Sequence, residues 1–246
     1  MMMKKRSLLV LMVGLLSATF LFVQGAFAAQ NEEKLAKLLA DYLMKGRAVI
    51  ANNQSLINTS GKADKGFTAA VYENQLAGDF KKMTGLDIKN LNASDHESAI
   101  LLKLHNSAKE VVTEAQSQIN QPGIAFKGFS PAIFGKKTGD KFFKKTSITV
   151  KQTSLKYRNP ANKPDKFETA TLKKFEAGWE RGKSFGETTV NGGKKSYRYM
   201  VPVYITQMCL TCHGSPAGDT DIAGRKKEGY KEGDVRGAIS VTIPIK

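Results

Sequence analysis

Between Glu32 and about Lys145, apolar residues recur at three- and four-residue steps, the spacing of helices that bury one face. Leu101, Leu104, His105, Ala108, Val112, Ala115 and Ile119 form one such stripe, which places His105 on a buried helix face. The region also repeats itself. A shift of 62 residues sets VIANNQSLIN (Val49 to Asn58) on VVTEAQSQIN (Val111 to Asn120), and KGFTAAVY (Lys65 to Tyr72) on KGFSPAIF (Lys127 to Phe134). Phe80, Lys82 and Thr84 then fall on Phe142, Lys144 and Thr146. A Lys-Gly-Phe at constant offset predicts a duplicated helix-turn-helix unit.

After Thr146 the period shortens to two. Ser147 to Tyr157 alternates as SITVKQTSLKY, and Asp165 to Ala177 reads as a helix. Ser184 to Val190 and Lys194 to Ile205 flank Asn191-Gly192-Gly193, a hairpin signal. Arg236 to Ile245 is a last β-rich stretch, preceded by a Gly/Asp/Lys-rich loop from Gly214 to Asp234. The expected class is α+β: a helical region over residues 29–145 with an internal repeat, packed on an antiparallel β-sheet formed by residues 146–246.

The first residues carry a different pattern. Lys4, Lys5 and Arg6 precede an apolar or small run from Leu8 to Val23, and Ala26-Phe27-Ala28 supplies a small-x-small cleavage site. Residues 1–28 are therefore expected to be a signal peptide, with an uncleaved membrane anchor as the alternative, and the protein to be exported to the periplasm. The formal charge of +16 then points away from nucleic acid and towards an acidic redox partner or an anionic membrane surface. The lysines are scattered through every segment, as on an ordinary solvated surface.

Two cysteines in an exported protein would ordinarily suggest a disulfide. Here they stand in Cys209-Leu210-Thr211-Cys212-His213. Two thiols separated by two residues, with a histidine directly after, suit covalent attachment of one haem: each thiol adds to a vinyl group and the imidazole lies beneath the iron. Cys209 and Cys212 are the candidate thioether donors and His213 the candidate proximal ligand of the iron. A zinc site lacks a second ligand pair, because the remaining histidines are His96 and His105. The candidate distal ligands are His105, Met200 and Met44, with Met83 and the helix-start His96 behind them; Met208 adjoins the motif too closely to reach the opposite haem face.

Three stretches in fixed order, TSLKYRNPANKPDKFE (Thr153 to Glu168), RYMVPVYITQMCLTCHG (Arg198 to Gly214) and GYKEGDVRGAISV (Gly229 to Val241), resemble the periplasmic c-type haem PAS-like sensor domains. The resemblance implies a PAS-like antiparallel sheet with helices over one face and a haem that reports redox state or binds a small diatomic ligand. Some members of that family supply a cysteine thiolate from an N-terminal helix as distal ligand. This chain has no third cysteine: the matching helix is Lys45 to Asn58 or its repeat Ser107 to Asn120, where Asn52 and Glu114 stand. His/Met, His/His or five-coordinate iron remain. No membrane helix, kinase or receptor domain follows Ile245, so the expectation is a stand-alone member that acts through an envelope signalling protein or a redox partner.

Two functions follow as expectations: a redox- or ligand-responsive haem protein of the sensor type, and a periplasmic electron-transfer cytochrome c. An enzyme is not expected, since a peroxidase-like reaction would need an open iron position and a distal acid-base group, for which His105 is the one candidate.

Overall fold

The structure is a computed structural model that describes residues 30–245. The expected leader lies outside the described residues. Helix α1 covers residues 30–52 and is followed by the single turn α2 (Gln54–Ile57), α3 (Ala69–Thr84), α4 (His96–Glu114), α5 (Gln116–Asn120) and α6 (Pro131–Thr146). Then come β1 (Thr149–Thr153), α7 (Lys166–Glu176), β2 (Phe185–Asn191), β3 (Lys194–Tyr204), α8 (Gln207–His213) and β4 (Val235–Pro244). The class is α+β, with one antiparallel sheet in the order β1-β4-β3-β2.

The two halves of the helical region fold alike. Thr68 and Ser130 cap the N-termini of α3 and α6 by accepting from the Val71 and Ile133 amides, and Gly85 and Ser147 end both helices in the left-handed conformation. Thr84 and Thr146 each donate back to a phenylalanine carbonyl, Phe80 and Phe142, at 2.8 Å. The halves are cross-tied as well. Asn58 Oδ1 accepts from the Lys127 amide at 3.0 Å, and Asn120 Oδ1 from the Lys65 amide at 3.2 Å, so each unit closes the loop of the other.

Alternation along the strands gives the sheet two apolar faces. Tyr197, Tyr199 and Val201 of β3, with Ile239, Val241 and Ile243 of β4, join the helical bundle in one continuous core. Residues one step out of phase, Met200 and Ala238, pack under Leu172 and Phe175 of α7 in a second, smaller core. The bundle approaches β1 closely through Gly139 of α6, where a Cβ would stand 2.2 Å from the Val150 carbonyl oxygen. Burial first, and then Glu33 of α1, push the Tyr197 phenol up to about 12, so α1 runs over the same sheet face.

The strand expected over Ser147 to Tyr157 is shorter, ending at Thr153. Ser154 leaves the ladder because its hydroxyl donates to the Arg236 carbonyl at 2.8 Å and accepts from the Lys156 amide at 3.2 Å, turning the chain towards Arg158. That turn positions the site.

Candidate functional site

Helix α8 leaves the end of β3 with Cys209 and Cys212 three residues apart, hence on one face, and His213 as its last residue. Both cysteines are free thiols and partly exposed. Cys209 Sγ sits at the helix start, 3.3 Å from Thr206 Oγ1 and 3.5 Å from the Thr206 amide. Burial, and next the charge of Asp221, push the Cys212 thiol up. The motif is therefore presented at the surface end of the sheet, with neither thiol consumed by a disulfide.

The loop from Gly214 to Asp234 folds back on His213. The Tyr230 amide donates to the His213 carbonyl at 2.9 Å, and Glu228 Oε2 lies 2.7 Å from His213 Nδ1. A carboxylate can only accept, so Nδ1 carries the proton and Nε2 keeps its lone pair free. Burial, reinforced by the Arg236 cation, lowers the imidazole's affinity for a second proton, so the ring is held neutral with Nε2 as its donor atom.

Arg158, which follows the turn after β1, organises this loop. Its Nε donates to Glu228 Oε1 at 2.6 Å and its Nη1 to Asp221 Oδ2 at 2.7 Å. Its Nη2 serves Glu228 Oε2 at 2.9 Å, the Lys226 carbonyl at 2.9 Å and the Cys212 carbonyl at 2.7 Å. The last bond satisfies a carbonyl that the end of α8 would otherwise leave orphaned. Burial alone would raise the carboxyls of Glu228 and Asp221. The donors outweigh it and hold both below the usual carboxylate range: Arg158 and His213 for Glu228, the Arg225 amide and Arg158 for Asp221. The Arg236 guanidinium donates to Ser154 Oγ at 2.7 Å and stands 3.7 Å from Glu228.

One further side chain arrives from the helical layer. Arg47 of α1 crosses Gly135 and Gln152, and its Nε is buried with no hydrogen-bond partner. Burial and the Arg236 cation push it down to about 10, opposed by nearby Cys209; it remains protonated at neutral pH. Arg47 thus lies over Gly135 of α6 and beside Gln152 of β1, between the bundle and the sheet.

The candidate distal ligands are committed elsewhere. His105 is buried in the bundle with both ring nitrogens engaged, Nδ1 3.0 Å from Tyr42 Oη and Nε2 2.8 Å from Glu73 Oε1. Met200 is fully buried under α7, against Leu172, Phe175 and Ala238. Met44 packs on the main core from α1. His96 is exposed at the start of α4, and Met83 is exposed on α3. Asn52 is exposed and Glu114 pairs with Lys141 on the bundle surface at 2.6 Å.

Sequence reasoning pointed to Cys209, Cys212 and His213 but passed over Arg158, Asp221, Glu228 and Arg47. The first of these lies inside the stretch Thr153 to Glu168, and nothing in the mixed-charge loop from Gly214 to Asp234 singles out Asp221 and Glu228 from its other acidic residues. The three stretches, up to 88 residues apart between first and last residue, converge here: Arg158 from the first, the motif from the second, Tyr230 and Arg236 from the third.

Fold and site together define an α+β protein whose sheet presents two free thiols and a neutral imidazole on one short helix. The family model described as Tll0287-like: Tll0287 matches residues 28–244, and the chain belongs to the Tll0287-like family. Among solved structures the chain is similar to the crystal structure of the cyanobacterial haem protein Tll0287, at 24% identity over 48% of this chain and 74% of that one, with a TM-score of 0.41. No curated protein matches the chain.

Proposed function

We propose that this chain is an exported monohaem c-type protein, with thioethers at Cys209 and Cys212 and His213 as the proximal ligand, in which a PAS-like sheet carries the haem and the iron responds to redox state or a small ligand. The observation that carries the proposal is the state of His213: its Nδ1–H is fixed on Glu228 and its Nε2 is left free beside two unpaired thiols. This donor set is what covalent haem requires. Half-buried Arg47, whose Nε is buried without a partner, adds a cation suited to an anionic group, such as a porphyrin carboxylate.

A bound haem supplies a one-electron couple and a site for a sixth ligand. The protein's own residues do the rest. Glu228 and Tyr230 fix the imidazole and backbone of His213, and Arg158 locks the loop to the end of α8. The core that α1 shares with the sheet would couple the layer that carries the motif to the helical bundle. Family membership and the name of the similar solved structure support haem binding; the sensing role and export rest on the sequence.

A second reading, an electron carrier, is favoured by the surface around the motif. Met208, beside the motif, and Ile222, in the loop that follows it, expose 51% and 52% of their area, and Lys226 of the same loop is exposed, a mixture of apolar and cationic surface suited to an acidic redox partner. Among the described residues no helix is long and apolar enough to cross a membrane.

Ferric and ferrous optical spectra with and without carbon monoxide separate the two. A responsive haem is expected to bind carbon monoxide rapidly in the ferrous state; an unreactive low-spin spectrum in both states would favour the carrier. Because both nitrogens of His105 are satisfied inside the bundle, His105→Ala is expected to leave the Soret band unchanged and to lower the thermal midpoint; a displaced Soret band would restore His105 as distal ligand.

A further inference from the structure

We propose that Glu228 is a positioning residue for the iron's proximal ligand: its carboxylate, hydrogen-bonded to His213 Nδ1, makes the imidazole a stronger donor and biases a bound haem towards the ferric state. The inference rests on haem attachment at Cys209 and Cys212.

The geometry separates Glu228 from an ordinary surface carboxylate. Glu228 and Tyr230 flank Gly229, and both bind His213, one at the ring nitrogen and one at the carbonyl. Gly229 has φ +81°, and a Cβ there would stand 2.9 Å from that of Ala217, so the clamp closes only with glycine at this position. The carboxylate cannot swing away. Arg158 bonds both of its oxygens, at 2.6 and 2.9 Å, and its side chain is only 13% exposed.

An acceptor on the far nitrogen of a metal-bound imidazole fixes the ring's orientation and raises its basicity, and an anionic acceptor does so more than a neutral one. A more basic ligand stabilises the higher charge of ferric iron. Arg158 and Arg236 keep Glu228 ionised, so the proton stays on Nδ1 and the interaction remains a charge-assisted hydrogen bond. A purely structural role, as one more partner for Arg158, would require none of this, because Asp221 already pairs with that guanidinium at 2.7 Å.

The test is Glu228→Gln in the haem-loaded protein, which keeps the shape and an acceptor oxygen but removes the charge. Spectroelectrochemical titration is expected to show a ferrous-to-ferric ratio at least tenfold higher at fixed potential, equivalent to a rise of about 59 mV for a one-electron couple. Glu228→Asp, which retains the charge on a shorter arm, is expected to shift the couple less. Resonance Raman of the photolysed ferrous carbon monoxide adduct is expected to place the iron–histidine stretch of the wild type in the range of carboxylate-bonded imidazoles, and lower in the glutamine variant. The wild-type stretch decides the question even if the glutamine variant does not fold. An unchanged couple in loaded Glu228→Gln, or a wild-type stretch typical of an imidazole bonded to a neutral acceptor, overturns the proposal. Wild-type protein matured without covalent haem overturns instead the functional reading beneath it, an outcome that intact mass distinguishes at the start.

Discussion

Cys209→Ser together with Cys212→Ser is expected to yield a folded protein that holds no covalent pigment. Neither thiol supports the fold to any extent: both are partly exposed, Cys209 makes only the weak contacts to Thr206, and no disulfide joins them. Serine can take over the contact to the Thr206 amide, so the stability change should remain within about 1 kcal/mol. The effect on haem is all or none by comparison. A thioether survives denaturation, whereas a haem held by His213 alone is extracted by acidified organic solvent, so intact mass and a haem stain after denaturing electrophoresis read the result directly. Each single serine variant should retain a fraction through its remaining thioether. Pigment that stays covalently bound in the double variant would place the attachment elsewhere and remove the functional reading.

What could be read in the sequence is what depends on near neighbours. Helix α7 runs between the expected limits because Asp165 and Glu168 form a reciprocal capping box, and the Asn191-Gly192-Gly193 turn joins β2 to β3. The repeat was visible because equivalent residues do equivalent jobs, as Thr68 and Ser130 do as caps. The missing pieces depend on distance along the chain. Arg158 meets Glu228 across 70 residues and Asp221 across 63, and no local period marks an arginine that will be buried among carboxylates. Arg47 was hidden for a similar reason: on α1 it reads as one more cation in a lysine-rich chain, and only the packing of the bundle on the sheet brings it over Gly135 and beside Gln152. His105 shows the reverse case. Its buried position was legible from the stripe, but its partners Tyr42 and Glu73 come from two other helices, and they occupy the nitrogens that iron would have needed.

Arg158→Ala in the loaded protein is expected to destabilise it by about 3 kcal/mol or more at neutral pH, the range found when one member of a buried ion pair is removed. Asp221 is the reason for the size: its side chain has no exposure, and without the guanidinium its charge is left with backbone amides alone. Glu228 loses two of its donors and the Cys212 carbonyl loses its cap. The pH dependence follows from the direction of the carboxyl shifts. Both carboxyls are held below their unfolded values near 3.9 and 4.3, so their contribution is fully present above that range and is lost as pH falls through the lower folded values. In the variant Asp221 keeps the Arg225 and Ala223 amides but loses the guanidinium, so its carboxyl rises relative to the wild type and takes up a proton at higher pH. The stability gap between wild type and variant should therefore be widest at pH 7 and narrow from about pH 5 downward, as measured by urea unfolding at pH 7, 5 and 4. A gap of equal size at all three would mean that Arg158 acts through packing and neutral hydrogen bonds, with its ion pairs to Asp221 and Glu228 contributing nothing.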